Sequence, residues 1–353
     1  MMKQRLYYLD ALRAMAILMM LQGHWISDLL DTTTVDINSL GYRIWKYCRG
    51  FTAPVFFTLS DWVFSYLLFV HPQKGIQNPR VSKGLKRILE LLFWGYLLRL
   101  NIWSLFDGYP NRSFFLPDVL QIIGLSLLLL LGLYFISRFY ASIYGLICLA
   151  GGLIIFFTEP LYSTLVFPEL PGFIAAYLTK AEGGVFYLFP WLGYVLIGGF
   201  LGSFSNKASL LSTKSWILLS LLVGLSLIFF SSKLLILIYQ GWEWELPRAI
   251  AYNNYLFIRL GDVLVCIAFF KMLESWLRQR YWSLIGRHTF SIYIVHYFLL
   301  YGSLSGYGAY KYWSKSMSLS LVFFSALLFI LVCLGLVFAY THYKETFLKR
   351  LQK

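Results

Sequence analysis

Charge is what this chain has least of. Asp, Glu, Lys and Arg together make up 13% of its 353 residues, where a soluble globular protein carries about 25%. Apolar residues reach 59% and the mean hydropathy is +0.67. One water-soluble core cannot hide that much apolar surface. A cytosolic enzyme, a disordered regulator and a secreted disulfide scaffold are therefore excluded. Cysteine is also scarce. Of Cys48, Cys148, Cys266 and Cys333, three lie in apolar runs, and no CxxC occurs. Neither a disulfide framework nor a structural zinc centre is expected, and no metal ligand set is expected at all. Acidic residues are the rarer sign, 16 against 30 basic ones, for a net charge of +14. In a membrane-embedded chain this excess reads as orientation signal and contact with anionic lipid, not as nucleic-acid binding.

What is present in place of charge is a succession of apolar runs. A hydrocarbon core of about 30 Å needs roughly 20 apolar residues per helix. Spans are predicted near 9–30, 51–70, 85–105, 116–136, 140–158, 185–204, 215–238, 255–274, 282–303 and 317–340. Backbone groups in lipid must be satisfied within the segment, so these spans are helices. The expected fold class is all-α: a polytopic integral membrane protein of about ten transmembrane helices, forming a single domain over 1–353. With the N-terminus in the cytoplasm, inside segments hold about 17 Lys and Arg and outside segments about 8. Lys74, Arg80, Lys83, Lys86 and Arg87 in the second loop set this orientation. Lys344, Lys349, Arg350 and Lys353 agree, placing the C-terminus in the cytoplasm as well.

Ionisable groups inside spans are expensive and are functional candidates for that reason. The first span is the richest, with Asp10, Arg13, His24 and Asp28. Arg13 and His24 are eleven residues apart, so they project from one helix face about 16 Å apart along the axis. Asp28, one turn beyond His24, is near enough to accept a proton from its imidazole. One face thus carries an anion handle at the cytoplasmic end and an oriented base further out. A coenzyme A thioester has matching anatomy, with phosphates at one end and an acyl group at the tip of a long arm. In the second span Asp61 costs at least about 2.5–3.5 kcal/mol unless it is protonated, paired or facing water. Arg99 is a candidate partner for it. His296 sits within the ninth span, and Glu90 lies one turn from Lys86.

The stretch from Leu9-Asp10-Ala11-Leu12-Arg13 to Gly23-His24 resembles the opening of acyltransferase family 3, in which an Arg, ten residues and a His share the first span. Ala53-Pro54-Val55-Phe56-Phe57-Thr58-Leu59-Ser60 is similar to that family's Phe-Phe-x-x-Ser-Gly run, with Asp61 replacing the Gly. Ile285-Gly286-Arg287-His288 through Ser291-Ile292-Tyr293-Ile294-Val295-His296 is similar to its Gly-x-x-Ser-hydrophobic-Tyr-x-x-His ending. Leu116-Pro117-Asp118 through Gly124, and Phe189-Pro190-Trp191 through Gly199, look more like bacterial proteins related to heparan-alpha-glucosaminide N-acetyltransferase.

The resemblance implies a membrane-bound acyltransferase of the bacterial cytoplasmic (inner) membrane. It implies an acyl group, often acetyl, passed from a cytosolic acyl-CoA to a hydroxyl or amine of a glycan, lipid or small-molecule acceptor. It assigns donor binding to Arg13, catalysis to His24 and a further role to His296. Arg80, Lys83 and Arg87 are candidates for the donor's phosphates, although positive-inside bias alone predicts basic residues there. Asp61 and Arg99 are candidates for substrate or proton handling. A direct transfer with His24 as general base and a covalent acyl-histidine both remain open. So does a transporter of a small anionic or lipidic solute, with Asp61, Arg99 and His296 along its path.

Overall fold

In the computed structural model, residues 6–108, 111–205 and 212–351 are described. Lys353 lies outside them, as do the side chains of Lys349 and Arg350. Among the described residues the fold is helical throughout, with no strand beyond two isolated backbone bridges. Every apolar run is helical. The long helices are α1 (Tyr7–Leu29), α2 (Thr52–Val70), α3 (Pro79–Arg99), α4 (Val119–Ile136) and α5 (Ala141–Phe157). They continue as α6 (Leu188–Phe204), α7 (Thr213–Trp242) and α8 (Tyr255–Met272). The last are α9 (Arg280–Arg287), α10 (Thr289–Tyr301) and α11 (Leu319–Leu351).

Several boundaries differ from expectation: α3 ends at Arg99 instead of 105, α7 reaches Trp242 instead of 238, and α11 runs on to Leu351 instead of 340. The third helix begins at Pro79 instead of 85, because proline suits a first helical turn and the basic residues after it continue the helix. The run 282–303 is broken into α9 and α10 at His288, which has φ −98° and ψ 12°. Four helical segments are each long and apolar enough to cross a membrane: Leu40–Val70, Arg112–Ile136, Thr213–Trp242 and Leu319–Phe347. Along α7 and α11, Leu218, Leu222, Phe229, Leu237, Phe324, Leu328 and Leu331 are exposed. In lipid such surfaces need no cover, and the chain is an integral membrane protein.

The chain divides into two compact units. The first comprises Met1–Thr52, Leu100–Pro110 and Leu273–Lys353; the second comprises Ala53–Arg99 and Asn111–Met272. In the first, α1 is the centre, packed by α9, α10 and α11. Gly286 of α9 lies directly on the Asp10 carbonyl of α1, so any side chain there would collide with backbone. Trp25 stacks on Phe329 of α11 at 4.3 Å and donates its Nε1–H to Ser325 at 2.9 Å. These contacts fix the rotation of α1 about its axis and therefore the direction of its neighbour His24.

In the second unit, small residues let helices approach closely, as expected where apolar burial alone gives no drive in lipid. A methyl on Gly261 of α8 would stand 2.6 Å from the Gly224 carbonyl oxygen of α7. The start of α4 is held by a capping box between Asp118 and Gln121.

Candidate active site

α1 places Arg13 and His24 on one side of the same helix, and α10 comes to meet both. Near the start of α10, buried Thr289 receives a hydrogen bond from Arg13 Nη2 at 3.3 Å. Further along α10, His296 is buried, and its ring centroid is 5.7 Å from that of His24. At the end of α10, the Tyr301 hydroxyl donates to Asp28 Oδ2 at 2.6 Å and stands 3.0 Å from His24 Nδ1.

Those two distances constrain the tautomer of His24. Tyr301 has one hydroxyl hydrogen, and Asp28 receives it. The contact with His24 must then run the other way, with Nδ1–H donating to the tyrosine oxygen. Neutral His24 is therefore the Nδ1–H tautomer, and Nε2 carries the lone pair. The same argument applies to His296. Its Nδ1 lies against the Tyr293 carbonyl, which can only accept, so that nitrogen also carries the hydrogen. Two imidazoles thus sit ring to ring, each with its orientation fixed through Nδ1.

The backbone around this cluster is tightly specified. Gly302 ends α10 with φ +69°, and the chain turns back so sharply that a Cβ there would meet the Tyr307 and Gly308 backbone. Only glycine fits this combination of left-handed backbone and close return. Leu304 then pairs with the Leu100–Ile102 backbone through two hydrogen bonds of 2.9 Å. At the end of α1, Lys315 donates its backbone N–H to the Asp28 carbonyl at 3.1 Å and its Nζ to the Ser27 carbonyl. Met317 bonds the Leu29 carbonyl at 2.9 Å. Both ends of the Tyr301–Asp28 hydrogen bond are therefore flanked by backbone contacts and not held by side-chain packing alone. On the neighbouring face of α1, the stem of Arg49 lies against Gly23, and Trp45 donates to Gln22 at 2.9 Å.

The other sequence candidates lie in the second unit. Arg99 is 3.2 Å from Asp118, and both side chains are largely buried. This corrects the expected Arg99–Asp61 pair: Arg99 Nε and Nη2 both reach Asp118 Oδ2, and Nη1 bonds the Ser113 carbonyl. Asp61 is fully buried, and among the described residues neither of its oxygens meets a hydrogen-bond donor. Arg80 and Lys83 stand at the start of α3, Lys83 exposed and Arg80 half-buried. Arg87 pairs with Glu90 at 3.1 Å, in place of the expected Lys86–Glu90 contact.

Three features escaped the sequence reading. Tyr301 left a faint signal, since Tyr293, Tyr297 and Tyr301 repeat every four residues along the helix that carries His296. Asp118 was readable as the first residue of an Asp-x-x-Gln capping box. The buried Arg259–Asp262 pair on α8, at 2.9 Å, is a second charged pair inside an apolar run, readable from its i,i+3 spacing.

Comparison with known proteins gives one match. The family described as Heparan-alpha-glucosaminide N-acetyltransferase, catalytic, matches residues 5–240. That segment runs from α1 into α7. It includes Arg13, His24, Asp28 and Asp61, but ends before His296 and Tyr301. No curated protein and no solved structure matches the chain.

Proposed function

The chain belongs to the heparan-alpha-glucosaminide N-acetyltransferase catalytic family, and from that premise we propose that it is a membrane acyltransferase whose general base is His24. The observation that carries this reading is the chain His24–Tyr301–Asp28. It presents Nε2 as the basic nitrogen and keeps a carboxylate one hydroxyl away, ready to balance an imidazolium.

The donor in this reading is a cytosolic acyl-CoA, with acetyl the family's usual group. Its phosphates call for cations, and Arg13 on the face of α1 that bears His24 supplies one, with its guanidinium held by Thr289. Arg80 and Lys83, at the start of α3, belong to the other compact unit and enter no step of this reading, and Arg87 is already paired with Glu90. The acceptor is a hydroxyl or amine of a glycan, lipid or small envelope molecule.

In the reaction, His24 Nε2 takes the proton from the acceptor as its oxygen or nitrogen bonds the thioester carbonyl carbon. Collapse of that adduct breaks the carbon–sulfur bond. The imidazolium returns its proton to the departing thiolate, so the base is regenerated. During the charged interval, Nδ1–H donates to Tyr301, which donates to Asp28, and positive charge on the ring is stabilised along that line. His296, buried beside the ring, holds His24 in place and excludes water from that flank. A covalent acyl-histidine would use the same Nε2 as nucleophile. The transporter reading has no comparable observation behind it: Arg99 is engaged by Asp118, and His296 donates to its own helix.

The test is release of free thiol from acetyl-CoA by the purified protein in detergent, with an acceptor-containing envelope extract. His24→Ala should lose about 10²–10⁴-fold of the transfer rate, with acetyl-CoA still raising the unfolding midpoint. Full transfer by His24→Ala would overturn the assignment. The same unfolding assay with coenzyme A, acetyl-CoA and a long-chain acyl-CoA ranks the donors.

A further inference from the structure

The reaction proposed above makes no use of Asp61, yet Asp61 is the most anomalous polar group in the molecule. It lies on α2 and is fully buried, with both carboxyl oxygens lacking a hydrogen-bond partner. One turn earlier on the same helix, Thr58 Oγ1 is buried and lacks a partner as well. One turn later, Ser65 Oγ is 2.8 Å from the Tyr144 hydroxyl of α5, so that serine is already engaged.

Among the described residues, the groups shown facing Asp61 bring no positive charge. From α5 the titratable neighbours that interact with it electrostatically are Tyr144 and Cys148, both neutral when protonated. From α6 the surface is glycine: Gly198 lies on the Thr58 carbonyl and Gly202 on the Trp62 carbonyl, so backbone meets backbone there. Gly199 next to them abuts Cys148 Sγ and the Tyr144 hydroxyl. From α3, Gly84 packs on Phe64. Three arginines of this unit's helices pair with other carboxylates, Arg99 with Asp118, Arg259 with Asp262 and Arg87 with Glu90.

A carboxylate buried without a cation or a donor is far costlier than a neutral carboxylic acid in the same place. A divalent ion would relieve the charge only with about six oxygen ligands, and Asp61 with Thr58 cannot supply them. We propose that Asp61 is an intramembrane proton-binding site: in the folded protein at neutral pH it holds a proton as a neutral acid, enclosed by α2, α5 and the glycine face of α6. This inference does not rest on the acyl-transfer reading, and either can fail without the other.

The test is infrared difference spectroscopy on the full-length protein in lipid at pH 7.5, wild type minus Asp61→Asn. The expected result is a positive carbonyl band of a protonated carboxylic acid, above the amide band, that shifts down in heavy water. The amide replaces a neutral acid at equal volume, so the unfolding midpoint of Asp61→Asn should stay within about 2 °C of wild type. Ionised-carboxylate bands in place of the acid band would overturn the proposal. An acid band that persists in choline chloride but vanishes in sodium chloride would overturn it too, by showing a sodium site. If Asp61→Asn does not fold, wild-type protein labelled with carboxyl-¹³C aspartate gives the same answer. An isotope-shifted acid band supports the proposal, and its absence refutes it.

Discussion

Replacing Tyr301 by Phe removes one oxygen and little else. The ring still packs against Tyr297, 4.7 Å away between centroids, and Gly302 still turns the chain. What disappears is the hydrogen bond to Asp28 and the acceptor for His24 Nδ1–H. A hydrogen bond to a charged group contributes about 1.5–3 kcal/mol. If that stabilisation is realised when the imidazolium forms, its loss lowers kcat by about 10- to 150-fold. KM for the acyl-CoA should not change if the bridge acts only on the imidazolium. The assay is thiol release from acetyl-CoA at saturating acceptor, run on Tyr301→Phe, His24→Ala and the double variant. Since Tyr301 acts through His24, the double variant should be no slower than His24→Ala alone. A Tyr301→Phe protein within twofold of wild type would refute the reasoning. So would a double variant whose losses simply multiply, because the tyrosine would then be working independently of the base.

Four further outcomes follow from the geometry. Arg13→Ala should weaken the donor: a ligand at 100 times its Kd raises stability by about 2.7 kcal/mol, and the acetyl-CoA shift in unfolding midpoint should shrink at equal concentration; an unchanged shift removes Arg13 from the donor site. Gly202→Ala would drive a methyl into the Trp62 carbonyl of α2, an overpacking that costs about 1–3 kcal/mol, read as a lower midpoint in detergent; an unaltered midpoint would show that α6 can move away. Asp118→Ala strips Arg99 of its carboxylate and α4 of its capping box, and breaking a buried pair costs about 3–5 kcal/mol; Arg99→Met in the same background should recover part of the loss, and no recovery would deny the pair.

Glu159, in the segment after α5, has its carboxyl held above the ordinary range by burial, with Lys180 pulling the other way. An acid raised in the folded state binds more protons there than when unfolded. Stability is therefore lost as pH rises from the ordinary carboxylate value through the raised one. Glu159→Gln should flatten that fall, and an unaltered pH profile would show that Glu159 is not the group responsible.

The apolar runs by themselves determined that this protein is helical, where most of its helices lie, and that Arg13 and His24 share a face, but not that α3 is shifted by six residues or that α11 continues to Leu351. The properties they determined are local. Run length fixes helix length, and 3.6 residues per turn fixes which side chains align. The first-span candidates could be picked out because an ionisable residue in an apolar run is conspicuous whatever surrounds it. The partners of those residues are another matter. Tyr301 stands 277 positions from His24, and nothing in either segment encodes that α10 will cross α1 at that height. Arg99 turned to Asp118 instead of Asp61 because the chain returns after the 100–115 segment and starts α4 beside the end of α3. Near the break at His288, Gly286 of α9 lies on the Asp10 carbonyl, a contact that neither segment encodes. A helix carries its own periodicity but not the identity of the face it will meet. Tertiary packing alone decided which hydroxyl would meet the His24 ring and which carboxyl would be buried without a hydrogen-bond partner among the described residues.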